Sequence, residues 1–443
     1  MTRVRKRAWL LAIVSGVLQV LVFPSVSLYF LCWIALAPLI VAVLSANAPA
    51  GVELVDSRGR QLSAATVGQG FTLAFVNGLI FYAGTVFWIY HTLHVYGGMG
   101  TGMASFLLVL LLLACACHHG IFGALLAWAA RTRTDGIRRA LALAPFLWVT
   151  IELGWERIIG FPWNPLGTVQ VDNIPLARIA TVTGAYGLSF GVALVNAAFA
   201  AAFLLPASRR RVMLIASAAA AALLQLGVLV RPAPLATTHT ATLVQQNIPI
   251  LEPSQWTVGF FQQTLTELAS ISTWASGSPS SEPGLIVWPE SPAPFYINDL
   301  NFRRTISDIA RRNNAYVVAG VVAVRRSARR DQPTELLNSA ALVAPDGNWT
   351  TRYDKIHLVP FGEYVPFKRI FFFIDKITKE AGDFGRGSER KVLDLGGPKL
   401  GVFICYESIF PDEVLLFARS RAQVFANISN DEWFGDISAP GST

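Results

Sequence analysis

Seven apolar runs crowd into the first 230 residues of this chain, at 9–26, 28–44, 71–91, 103–130, 140–155, 177–205 and 212–230. A helix needs about 20 apolar residues to cross the hydrocarbon core of a bilayer. The runs therefore predict a multi-pass α-helical membrane module of about seven spans over residues 1–231, with the second and fifth runs the shortest. A second run follows the first almost at once, with no small-residue cleavage site between them, so the first reads as a retained helix and not as a signal peptide. Only 14% of the 443 residues are charged, against roughly 25% in an ordinary soluble domain. That excludes a simple soluble enzyme.

Charge divides the chain at the same place. Residues 1–211 hold 15 Lys/Arg and 6 Asp/Glu, whereas residues 212–443 hold 21 and 22. The basic residues of the first part lie in short tracts between apolar runs, which is not the clustered, solvated face that nucleic acid requires. Cationic loops stay in the cytoplasm. Taking alternate connections, one side holds Arg3, Arg5, Lys6, Arg7, Arg58, Arg60, Arg131, Arg133, Arg138, Arg139, Arg209, Arg210 and Arg211, and the other only Arg157 and Arg178. An N-terminus inside, followed by seven crossings, puts residues 232–443 on the outer face. That part holds one cysteine, Cys405, so it has no internal disulfide.

Several polar residues interrupt the apolar half. Cys115, Cys117, His118 and His119 are metal-binding residue types, but their spacing spreads them around a helix, and no metal site is expected. Glu152, Glu156 and Arg157 sit near a span end, ahead of Phe161, Pro162, Trp163, Asn164 and Pro165. A functional intramembrane site and a local ion pair beside an interfacial aromatic belt both account for them.

Beyond Arg231 the texture changes to short β-branched runs, at 241–246, 285–288, 315–324, 339–343, 391–395, 400–405 and 423–428, alternating with helical stretches at 255–273, 301–313 and 412–419. This alternation predicts an α/β layered domain over 232–443. Three polar residues fall where extended segments end: Glu290 in Val287-Trp288-Pro289-Glu290-Ser291, Lys355 in Thr351-Arg352-Tyr353-Asp354-Lys355, and Cys405 in Gly401-Val402-Phe403-Ile404-Cys405. Sites in open α/β sheets collect at such ends. A carboxylate in an apolar setting can take the thiol proton, the thiolate attacks, and an ammonium steadies the oxyanion. Singly, each residue also has an ordinary reading: a core cysteine, a helix-start carboxylate, a surface cation. A Cys–His pair would need His239 or His357, and His357 could share a face with Lys355.

The order of Glu290 in Trp-Pro-Glu-Ser, Lys355 in Tyr-Asp-Lys and Cys405 in Ile-Cys-Tyr-Glu is similar to that of the nitrilase superfamily. The run Leu358-Val359-Pro360-Phe361-Gly362-Glu363-Tyr364-Val365-Pro366, the later Asn427-Ile428-Ser429-Asn430-Asp431-Glu432-Trp433-Phe434-Gly435 and the seven preceding apolar runs together resemble the bacterial apolipoprotein N-acyltransferases, over nearly the whole chain. The resemblance implies a nitrilase-like αββα sandwich after the membrane module. It further implies that Cys405 takes an acyl chain from a phosphatidylethanolamine-like phospholipid as a thioester and passes it to the N-terminal amine of a diacylglyceryl-cysteine lipoprotein. Glu290 would be the base and Lys355 the oxyanion stabiliser. Glu363, Tyr406 and Glu407 would support them, and Trp256 would contact substrate. No cofactor is implied, and the location is the bacterial inner membrane.

The stretch Lys368 to Lys376 sets Phe371, Phe372 and Phe373 between cationic flanks, as an interfacial anchor or lid would require; a buried helix is the alternative. Members of the family continue past Trp-Phe-Gly with a further helix, strands and a last membrane span, so the sandwich is expected to be incomplete at Thr443. A membrane-tethered carbon–nitrogen hydrolase and an inactive scaffold are the competing functions.

Overall fold

The computed structural model describes residues 4–24, 26–47, 63–131, 135–230, 239–246, 257–274, 283–291, 294–325, 334–360, 362–364 and 384–430. The chain divides into two compact units.

In the first unit every apolar run becomes helical: α1 (Lys6–Val22), α2 (Tyr29–Leu44), α3 (Val67–Thr85), α4 (Thr101–Ala129), α5 (Gly136–Ile159), α6 (Ala180–Leu204) and α7 (Ala207–Leu224). Four described segments are long and apolar enough to cross a membrane: α3, α4, α6 and Ser208–Leu229, which takes in most of α7. Along α7, Val212, Ile215 and Leu223 are 58%, 67% and 63% exposed. Water would not tolerate such a surface, but lipid tails would. The chain is a membrane protein.

Inside lipid, apolar side chains gain little by leaving their solvent, so helices join through close backbone approach and hydrogen bonds. Gly70 of α3 and Gly123 of α4 illustrate the first, since a Cβ on either would strike the carbonyl oxygen of the other. Asn196 of α6 illustrates the second. The helical hydrogen bonding of α2 breaks at Leu36. Asn196 Oδ1 accepts from Leu36 N and Ala37 N, both at 2.9 Å, while its Nδ2 donates to Cys32 O at 2.7 Å. A broken helix is tolerated in a bilayer when its freed groups are served in this way. Replacing Asn196 by Leu strands them, and should cost about 2–4 kcal/mol. A lower melting temperature in detergent checks this; an unchanged one would mean that the break finds other partners.

In the second unit, β1 (Ala241–Leu243), β2 (Gly284–Val287), β3 (Ala315–Arg325), β4 (Glu335–Val343) and β5 (Trp349–Asp354) form one sheet in that order. The first three strands run parallel, and β3, β4 and β5 are antiparallel. The helices α8 (Val258–Trp274) and α9 (Leu300–Asn313) connect the parallel strands. They bury Leu268, Phe302, Ile306 and Ile309 against one face, which includes Val317, Ala319 and Val321. A smaller sheet, β6 (Leu393–Asp394), β7 (Lys399–Ile404) and β8 (Val424–Ile428), packs on the other face. There Leu400, Val402 and Ile404 meet Val287, Val318 and Leu342. Alternation along the strands accounts for both cores, because neighbouring residues point to opposite faces. The helix α10 (Pro411–Arg419) joins β7 to β8 and adds Phe417 to the core between the sheets.

One strand was not marked among the β-branched runs. β5 reads Trp-Thr-Thr-Arg-Tyr-Asp, and of its residues only Tyr353 is fully buried. Its pairing with β4 makes it a strand, in keeping with the extended segment expected to end at Lys355, although its texture is not β-branched and apolar.

Candidate active site

Glu290 lies two residues past Trp288, whose indole is fully buried and donates to Ser272 Oγ at 2.8 Å. The backbone of Pro289, Glu290 and Ser291 presses onto Gly320 in the middle of β3, where any Cβ would collide with it. Gly320 thereby sets how deeply Glu290 is seated. Lys355 directly follows β5 and is 1% exposed. Its main-chain N donates to Asn338 O of β4 at 2.8 Å.

These two residues and two others close a ring. Lys355 Nζ stands 3.1 Å from Glu290 Oε1 and 3.1 Å from Glu363 Oε1. Asn338 Nδ2 donates to the same two oxygens at 2.7 and 2.8 Å. The outer oxygens are also held, Glu290 Oε2 by Asn430 N at 3.2 Å and Glu363 Oε2 by Val359 N at 2.8 Å. Burial pulls the Lys355 ammonium down, but the carboxylates of Glu290 and Glu363 outweigh it and hold its pKa above the ordinary lysine value. The apolar setting expected for Glu290 is not found. Its surroundings are donors, because a carboxylate this deep must be paired.

Cys405 begins a short 3₁₀ turn at the end of β7, with φ of 53°. A side chain in this left-handed region is uncommon and is typical of functional turns. Burial pushes the thiol up to about 12; Glu290 adds to the rise, whereas Lys355 and a hydrogen bond with the Ser429 side chain oppose it. The thiol is thus within electrostatic reach of the whole ring.

Glu407 ties the turn to Lys355. Its Oε1 accepts from Tyr353 Oη at 2.8 Å, Ile356 N at 2.7 Å and His357 N at 3.0 Å, and its Oε2 accepts from Ile404 N at 2.9 Å. Burial raises this carboxyl above its ordinary value even with those donors pulling the other way. Tyr406 is buried and its ring meets Phe410 edge-on at 5.1 Å. His357 turns elsewhere, with Nε2 2.9 Å from Glu413 Oε1 and its ring stacked on Phe410. Trp256, Phe371, Phe372 and Phe373 lie outside the described residues.

Asn338 was missed from sequence, although a signal was present: it is a polar residue within the apolar run Leu336-Leu337-Asn338-Ser339-Ala340-Ala341-Leu342. Asn430 and Ser429 were seen only as parts of a motif.

Two stacked sheets, with a thiol and an ammonium at strand ends and two carboxylates beside the ammonium, are the layout of a carbon–nitrogen hydrolase type of domain. Residues 240–441 match the carbon–nitrogen hydrolase family model, and residues 15–198 match that of the apolipoprotein N-acyltransferase N-terminal domain. The apolipoprotein N-acyltransferase of Geobacter metallireducens is 34% identical, over 98% of this chain and 80% of that protein. The Ralstonia nicotianae protein of the same name is 31% identical, over 97% and 77%. An amidase structure from Nesterenkonia sp. aligns at 20% identity and a TM-score of 0.30, covering 45% of this chain and 67% of that one. On its sequence relatives, the chain belongs to the apolipoprotein N-acyltransferase family.

Two measurements probe the site. Asn338→Leu leaves two buried carboxylate oxygens short of a donor, so turnover should fall about 10–100-fold and the melting temperature should drop as well, by the cost of about 1–3 kcal/mol per unsatisfied group; full turnover would show that Lys355 alone suffices. Because the thiol is held near 12, Cys405 alkylation by a neutral reagent should rise about tenfold per pH unit without levelling off up to roughly pH 10. Lys355→Met removes a downward pull and should slow alkylation at every pH. A plateau near the ordinary thiol range would contradict the assignment.

Proposed function

We propose that the protein transfers an acyl chain from a membrane phospholipid, through a Cys405 thioester, to the N-terminal amine of a diacylglyceryl-cysteine lipoprotein. The observation that carries this reading is the Lys355 ammonium, held by two carboxylates and electrostatically coupled to a thiol on a left-handed turn. Glu290 takes the thiol proton as sulfur attacks the ester carbonyl. Lys355 then balances the oxyanion of the tetrahedral intermediate, together with a backbone N–H beyond the nucleophile. Collapse breaks the ester C–O bond, and Glu290 returns the proton to the departing lysophospholipid. In the second half the amine attacks the thioester, gives its proton to Glu290 and displaces the Cys405 thiolate, which is reprotonated.

Glu363 shares Lys355 with Glu290 and fixes its position, while Glu407 fixes the segment that carries it. A phosphatidylethanolamine-like donor, residues 1–231 as a seven-span domain with a cytoplasmic N-terminus, and residues 232–443 as the catalytic domain outside the bacterial inner membrane complete the proposal. The thirteen-to-two distribution of loop cations supports that orientation.

Trapping tests the mechanism. Wild-type protein incubated with acyl-labelled phospholipid should acquire a label that hydroxylamine removes, and Cys405→Ala should acquire none. Glu290→Gln should slow labelling by about 10²-fold or more, as loss of a general base does. A diacylglyceryl-cysteine peptide should then discharge the label onto its amine. Release to water alone would make the protein a hydrolase, and label on Cys405→Ala would remove the nucleophile.

A further inference from the structure

The first unit contains a cavity that this chemistry does not use. It is lined from α1, α3, α4, α5, α6 and the 161–166 connection. Glu152 of α5 lines it and is 7% exposed. One carboxyl oxygen, Oε1, accepts from Trp148 Nε1 and Leu166 N, both at 2.7 Å. The Ser189 side chain also hydrogen-bonds the carboxyl group. The other oxygen, Oε2, is buried and accepts no hydrogen bond among the described residues. One turn further along α5, Trp155 also lines the cavity, and its Nε1 is buried with no acceptor among the described residues. Much of the remaining wall is aromatic, including Phe81, Tyr82 and the stacked pair Phe161 and Trp163.

A buried carboxyl oxygen without a donor and a buried N–H without an acceptor are each costly, and native structures rarely leave them so. Here both line one cavity, beside ring faces that attract cations. The ligand that answers all three features carries an ammonium with an oxygen acceptor a few bonds away. A site inside an apolar helical unit, in turn, is supplied from the bilayer.

We propose that this cavity binds the headgroup of an aminophospholipid, with Glu152 Oε2 receiving the ammonium and the Trp155 indole donating to a phosphate oxygen. The choice of a lipid ligand rests on the reading of the protein as a phospholipid-consuming acyltransferase, but the binding itself requires no reaction at Cys405.

Retention of labelled lipid by full-length Cys405→Ala protein in detergent separates the two claims. Phosphatidylethanolamine should be retained in preference to phosphatidylglycerol, which has no ammonium, and to phosphatidylcholine, whose ammonium has no N–H. Adding Glu152→Gln should weaken phosphatidylethanolamine retention on the order of tenfold, the worth of a hydrogen bond to a charged group. Trp155→Phe should weaken it less and to a similar degree for phosphatidylglycerol. Melting temperatures of both variants confirm folding. Equal retention of all three lipids, or no effect of Glu152→Gln in a folded protein, overturns the proposal and leaves ordered water as the partner of both groups. Displacement of the lipid by a free-amine diacylglyceryl-cysteine peptide but not by its N-acetylated form also overturns it, and assigns the cavity to the acceptor amine. Loss of thioester trapping with retention intact would sink the acyl-transfer reading and leave this one standing.

Discussion

A lysine ammonium buried to 1% exposure is the constraint on which the second unit depends. Removing such a charge from water costs several kcal/mol, and only well-placed opposite charges recover it. Lys355 obtains two, and those two carboxylates would repel each other without it. Asn338 bridges the same pair of oxygens, so four groups from four separated stretches of chain meet at one point. Each stretch has its own seat: Gly320 receives the backbone around Glu290, Lys355 follows β5, Asn338 stands in β4, and Val359 holds Glu363. Removing any member leaves an unpaired group in a place that water does not serve.

The membrane unit solves a related problem with different means. Its interior polar groups form short relays, such as His119 to Gln19 and on to Asn77, and Asn77 to Ala12 O. Asn196 repairs the break in α2 by the same logic. In both units these buried polar side chains complete the hydrogen bonding of others, which is what a low-dielectric surrounding demands.

Much of this was legible in the sequence. Apolar runs of bilayer length became helices, and β-branched runs became strands, because both signals come from burial, which repeats along the chain. Glu290, Lys355 and Cys405 were legible because their residue types carry chemistry and fall at segment ends. What was not legible came from pairing across the fold. β5 is a strand by virtue of its neighbour. Asn338 is functional in appearance only once Glu290 and Glu363 lie beside it. The donors around Glu290, which replace the apolar setting expected for a base, belong to residues between 48 and 140 positions away.

The left-handed backbone at Cys405 has a consequence for the two-step transfer proposed above. Such a conformation stores roughly 1–3 kcal/mol, and because the strain lies in the main chain, converting the thiol to a thioester neither adds to it nor relieves it. The sulfur therefore keeps one bearing whether it is free or loaded. In the proposed transfer, a donor arriving first and an acceptor arriving later would meet the same angle of approach and the same ammonium, so a single oxyanion geometry would serve two chemically different partners in succession.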